Sequence, residues 1–303
     1  MKRRLFRWAV LFGTFAIAGP VATAQELEPR RYSNVPVGVN FVAFGYAYSQ
    51  GNIFFDPNLP IEDADAKIHA AFARYIRTFS LFGLSSKIKL DLPWASGHWE
   101  GTVDGVFRTR SATGVGDARI GIETLFSGAP ALRKSEFGTY SQRTIFGASL
   151  DVIMPTGEYD PSRLVNLGGN RWILNPEIGF SHKFEKWVME VGLAGGIFGD
   201  NTDYFGGSTL EQDPLYAVKA SFIRAFRPGL WLAISVAYGD GGTTTVDGIG
   251  KEDRQSNTRA GVTFSYLIRP NQGLLVSLLS GYTFRAGPDF ETIAVGYQYS
   301  WGG

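Results

Sequence analysis

Residues 291–301 read Glu291-Thr-Ile-Ala-Val-Gly-Tyr-Gln-Tyr-Ser-Trp301. In an extended chain Ile293, Val295, Tyr297, Tyr299 and Trp301 share one face, and Thr292, Gly296, Gln298 and Ser300 share the other. A strict period of two, with aromatics at one end, predicts a β-strand.

The same alternation runs back through the chain over 40–48, 87–94, 118–126, 146–154, 172–181, 187–194, 216–222, 232–238, 259–266 and 276–285. The segment 64–79 is less regular: Ile68, Ala70 and Phe72 begin one face, but Tyr75 and Phe79 fall on the other, as a bulge near Arg74 would produce. The second face is not simply polar. It mixes glycine, alanine and serine with isolated charges of both signs, which suits a narrow wet lumen. Trp94, Trp172, Trp187, Tyr238 and Trp301 sit at strand ends, as interface girdles do. The pattern predicts an all-β fold, a transmembrane antiparallel up-and-down β-barrel with periplasmic termini.

Loop lengths set the strand number. Short connections at Phe82-Gly83, Glu185-Lys186, Arg227-Pro228-Gly229 and Pro270-Asn271-Gln272 read as periplasmic turns. Long ones at 49–63, 155–170, 199–213 and 240–256 read as extracellular loops. The two kinds alternate if 95–115 is one outer loop, with 102–109 free to form a hairpin in it, and 127–143 is a longer inner connection. That gives twelve strands, with fourteen as the alternative, an even number in either case. Twelve strands enclose a backbone radius of roughly 12 Å, which leaves little open lumen.

At the other end, Lys2, Arg3, Arg4 and Arg7 precede a short apolar run and Ala22-Thr23-Ala24. This is the pattern of a Sec signal peptide over 1–24, followed by a short periplasmic segment 25–36 and a barrel over 37–303. The lead-in is too short to fill a lumen, so any plug is expected from inward loops or lumen side chains. Removing the four signal cations from the 29 basic residues leaves 25 against 28 acidic, which gives no basic stripe for nucleic acid. There is no cysteine, hence no disulfide or thiolate site. The expected setting is the bacterial outer membrane. Its lipid and lipopolysaccharide, the barrel assembly machinery and periplasmic chaperones are the expected partners, together with a small-molecule solute.

No enzyme motif emerges. His69, His98 and His182 lack neighbours at a spacing that would assign a catalytic role, and no cofactor or metal pattern is present. Two constellations remain. Lys87, Lys89, Asp91, Arg119, Glu123, Asp151, Glu177, Glu190, Lys219, Arg259 and Arg285 share the inward parity. As buried charges they must pair, either as ladders bracing the wall or as a polar path or gate. The second is the turn-rich run Pro155–Trp172, in which Gly157, Asp160 and Gly168 are turn chemistry. It closes on itself or folds into the barrel mouth, with Arg171 pairing an acid such as Glu177 or Asp160.

Gly114-Val-Gly-Asp117, Gly128-Ala-Pro-Ala131, the run Pro155-Thr156-Gly157-Glu-Tyr159-Asp160, the run Asn166-Leu-Gly168-Gly-Asn170-Arg171-Trp172, Asp200-Asn201, Gln212-Asp213-Pro214 and Val246-Asp247-Gly248 together resemble one family. It is that of the phenol-degradation meta-pathway outer-membrane proteins, often called simply transporters. The resemblance implies an outer-membrane barrel for uptake of aromatic or other hydrophobic compounds. Gly296, Tyr299 and Trp301 also resemble the Gly-x-x-aromatic-x-aromatic assembly signal of a last barrel strand. The functional expectation is a passive channel for a small solute; the alternative is a non-transporting barrel with a structural or adhesion role.

Overall fold

The computed structural model describes residues 23–55 and 61–303. The apolar run and basic start of the expected signal peptide lie outside the described residues. The strands in chain order are β1 (Val39–Phe54), β2 (Ile61–Leu81), β3 (Leu84–Val103), β4 (Val106–Val115), β5 (Arg119–Pro130), β6 (Thr144–Ile153), β7 (Ile173–Phe184), β8 (Trp187–Phe198), β9 (Asn201–Tyr204), β10 (Ser208–Gln212), β11 (Leu215–Arg227), β12 (Leu230–Gly241), β13 (Thr244–Val246), β14 (Ile249–Gly250), β15 (Gln255–Arg269), β16 (Gln272–Thr283) and β17 (Gly287–Gly302).

Twelve of these form the wall: β1, β2, β3, β5, β6, β7, β8, β11, β12, β15, β16 and β17, each antiparallel to its neighbours. The sheet closes because β1 pairs with β17 from Val39↔Gly302 to Phe54↔Gly287. The remaining strands belong to outer loops. β4 folds back on the outer half of β3, from Trp94↔Val115 to Val103↔Val106, which is the hairpin foreseen in that loop. β9, β10, β13 and β14 make a separate small sheet above the barrel.

Alternation decides which side chains meet lipid. Phe44, Leu92, Ile178, Leu193, Ile234 and Ile293 are exposed outward, while their strand neighbours point inward. The turns obey local chemistry. Phe82-Gly83 and Asp104-Gly105 both have positive φ at two successive residues, the type I′ geometry whose twist matches a hairpin.

One irregularity is resolved differently from expectation. The register of β2 is unbroken through Arg74, which faces Ala43 on β1 and Asp91 on β3. No bulge intervenes. Ile68, Ala70 and Phe72 point into the barrel, and Arg74 follows them. The apolar residues, not the backbone, broke the pattern. Phe72 belongs to an apolar cluster inside the barrel with Ala43, Val188, Ile223, Trp231, Ala233 and Leu275. Its ring occupies the space above Gly45, where an added Cβ would lie 1.9 Å from Phe72 Cζ.

Candidate functional site in the barrel lumen

Inward parity places Lys87, Lys89 and Asp91 of β3, Arg119 and Glu123 of β5, Asp151 of β6, Glu177 of β7, Glu190 of β8 and Lys219 of β11 around one level of the lumen, joined by Arg74 of β2. Arg259 of β15 also points inward. On the β2–β3–β5 side the cations Arg74, Lys87, Lys89 and Arg119 outnumber the anions Asp91 and Glu123; on the β6–β8 side Asp151, Glu177 and Glu190 are all anions. Several pair across strands: Arg74 with Asp91 at 2.5 Å, Lys87 with Glu123 at 2.6 Å, Lys89 with Asp151 at 3.0 Å and Lys219 with Glu177 at 2.5 Å.

Residues 25–36, expected as a periplasmic lead-in, lie inside this lumen instead. The chain leaves β1 at the periplasmic rim, where the Val37 N–H donates to Leu132 O and the Thr78 hydroxyl to Pro36 O. It then rises through the barrel until Ala24 packs on Ala194, Leu215 and Ala217. Gln25 reaches the outer half, its Nε2 3.5 Å from Asn257 O.

The segment complements both sides of the wall. Glu28 faces the cations, 3.3 Å from Arg74 and 3.7 Å from Lys89, and Glu26 pairs with Arg119. Arg31 faces the anions: its Nη2 donates to Ser149 Oγ at 2.7 Å and lies 3.2 Å from Asp151, and its Nη1 lies 3.5 Å from Glu177. The Tyr32 hydroxyl donates to Glu177 at 2.5 Å, the Arg30 N–H to Glu190 at 2.7 Å, and Lys87 Nζ to Arg31 O at 2.9 Å. An isolated buried charge costs several kcal/mol, so the wall charges and those of the segment are each other's partners. Length alone misjudged this segment, because a twisted chain of charged side chains fills a narrow lumen without needing bulk.

The glycines of the wall make the seat. A Cβ on Gly179 would fall 2.5 Å from the Tyr32 ring, and one on Gly147 2.8 Å from it. The spaces beside the segment's charged residues are small. Spaces of about 40 and 20 Å³ flank Glu28 and Arg31, room for a water or two, whereas a cavity of about 150 Å³ accommodates benzene.

Other expected site residues lie elsewhere. Arg285 is exposed in the outer connection after β16; the strand ends at Thr283, so its parity does not extend to it. Arg171 sits buried beneath the outer loops, donating to Gln212 and lying 4.8 Å over the Phe198 ring, and pairs with neither Glu177 nor Asp160. Tyr299 and Trp301 stack on the outer wall at 5.9 Å, and Gly296 faces Gly45 inside. His69, His98 and His182 each bond a hydroxyl on the neighbouring strand, of Tyr46, Ser111 and Thr144.

The run Pro155–Trp172 is a knot tied by Asp117. Its carboxylate accepts the N–H groups of Thr156, Gly157 and Gly169 at 3.1, 2.8 and 2.7 Å. Gly157 and Gly168 meet back to back, too close for a side chain on either. Asn166 accepts the Asp160 N–H, the Tyr159 hydroxyl reaches Asp203 O, and Asn170 takes a left-handed φ of 50° while bonding Asn201. The Ser162 hydroxyl and N–H hold the Asp160 carboxyl below its usual range. Asp117→Ala removes one acceptor from three donors, each charge-assisted bond being worth about 1.5–3 kcal/mol. We expect limited proteolysis to cut within 155–171 at least about tenfold faster while the barrel stays folded.

A model of the family described as "Putative MetA-pathway of phenol degradation" matches residues 43–299. The chain belongs to that family. Among solved structures, this family member is similar to the COG4313 outer membrane channel from Pseudomonas putida F1, with 22% identity, a TM-score of 0.77, and 91% of this chain and 100% of the other covered. It is also similar to the beta domain of the Bordetella autotransporter BrkA, with 12% identity, a TM-score of 0.52, and 87% and 100% covered. No curated protein matches it. These likenesses agree with the closed twelve-stranded wall in assigning an outer-membrane barrel fold.

Proposed function

We propose that this barrel is a passive outer-membrane channel for a small uncharged or hydrophobic solute, aromatic compounds being the class that the family suggests, and that residues 25–36 hold it closed. The observation that carries the reading is the nature of the closure. The segment is held mostly by ion pairs and hydrogen bonds to the wall, with Tyr32 and Val35 in small apolar clusters, and is continuous with the wall only where it runs into β1. Polar contacts of this kind exchange with water at modest net cost, so the segment can leave while the wall stays intact.

The outer mouth adds a preference. The segments 154–171, 199–214 and 240–254 carry ten acidic and four basic side chains. A mouth of net negative charge concentrates cations and repels anions. An aromatic carboxylate is therefore disfavoured relative to the matching phenol or amine.

Liposomes containing the refolded protein test both parts. Uncharged phenol should enter faster than benzoate at neutral pH, and the residual ionic current should be cation-selective. No solute flux in wild type or in plug-weakened variants would contradict the channel reading.

A further inference from the structure

The ends of the barrel differ in charge. Over the periplasmic strand ends and connections (77–83, 131–143, 183–186, 224–229 and 269–271) there are nine basic and two acidic side chains, the reverse of the outer mouth. Two of the cations are held in a defined way. Arg224 projects outward from β11, and its guanidinium lies 4.6 Å over the Trp187 ring of the adjacent β8. Trp187 in turn stacks on Phe222 at 4.6 Å. At the end of the same strand, Arg227 lies 5.7 Å over Tyr266 of β15, on the side away from β8. Among the described residues neither guanidinium has a carboxylate partner within ion-pair distance. Lys186 occupies the turn directly below Trp187.

We propose that Arg224, Arg227 and Lys186 form a basic patch that binds the headgroups of anionic phospholipids of the inner leaflet, with Trp187 and Phe222 seating upper acyl segments on one side of β11 and Tyr266 on the other. Geometry and chemistry agree on this occupant. The site faces the membrane, not the lumen. It lies at the periplasmic aromatic girdle, where headgroups sit. Phe222 and Tyr266 are exposed toward lipid, by 42% and 38%, and Trp187 is half-buried between Phe222 and Arg224. Arginine over an aromatic ring is pre-oriented, leaving its N–H donors free for a phosphate. Zwitterionic phosphatidylethanolamine supplies a phosphate with its own ammonium, whereas phosphatidylglycerol supplies net negative charge that the three cations neutralise.

The test uses the full barrel in vesicles of phosphatidylethanolamine and phosphatidylglycerol, extracted gently and weighed with bound lipid by native mass spectrometry. Wild type should retain phosphatidylglycerol in excess over its share of the vesicle. The Arg224→Gln/Arg227→Gln variant should lose that enrichment by at least about fivefold per guanidinium. Arg108→Gln, on the outer hairpin, should leave it unchanged. Folding of each variant is read independently from heat-modifiable gel mobility. Equal retention of the two lipids by folded wild type, or undiminished enrichment in the folded double variant, would overturn the site.

Discussion

Arg31→Glu opens the lumen. The substitution places a carboxylate where Arg31 now meets Asp151, Glu177 and Glu28. It removes the cation that those acids share and adds a like charge. Leaving buried charges uncompensated costs on the order of 3–5 kcal/mol. That cost falls on the inserted state of segment 25–36 and not on the wall, whose strands keep their ladders. Each 1.4 kcal/mol is tenfold in a population, so the open fraction should rise by about 100-fold or more. In planar bilayers the variant should show large, frequent openings, whereas wild type conducts little. Arg31→Gln, which removes charge without reversing it, should fall between them. Unchanged currents in a folded variant would separate the segment from the closure.

The second large effect is on stability. Glu177 accepts from Tyr32 and Lys219, both at 2.5 Å, and stands 3.5 Å from Arg31. Glu177→Gln keeps the shape but strands Lys219 and weakens Arg31. We expect a loss of about 3 kcal/mol in urea unfolding from lipid. The Glu177→Gln/Lys219→Met pair should recover most of it, because no orphaned ammonium remains. A single-variant loss below about 0.5 kcal/mol would place the pair in wet, screened surroundings and weaken the picture of a tightly interlocked lumen.

Much of this architecture was legible in the sequence. Period-two alternation identified the wall, and alternating short and long connections gave its twelve strands. The same parity put Lys87, Lys89, Asp91, Arg119, Glu123, Asp151, Glu177, Glu190, Lys219 and Arg259 on one face, and among the described residues these side chains lie inside the barrel, because one residue faces in for each that faces out. It failed where its assumption failed. Phe72 is apolar yet points inward, over a glycine, so Arg74 was hidden behind an apparent change of face. Arg285 lies beyond the last paired residue of β16, where parity has no meaning. The occupant of the lumen was illegible for a different reason. Residues 25–36 have no periodicity, and their fit depends on charges far away in the chain. A signal was present nonetheless. Glu26, Glu28, Arg30 and Arg31 carry two charges of each sign, and Leu27, Tyr32 and Val35 have no reason to sit in a free periplasmic tail. Arg171 was placed in the right region with the wrong partner, since the small loop sheet that brings Gln212 to it is long-range.

The central claim is that segment 25–36 lies within the barrel, and the absence of native cysteine allows it to be tested cleanly. In a Leu27→Cys/Leu279→Cys variant embedded in membranes, whose parent side chains meet over Gly261 without any ion pair, a short bis-maleimide should bridge the two thiols in most molecules, and a bulky polyethylene-glycol maleimide should leave position 27 unmodified until the barrel is unfolded. Free modification of position 27 by the bulky reagent in the folded barrel, with no bridge formed, would contradict the account.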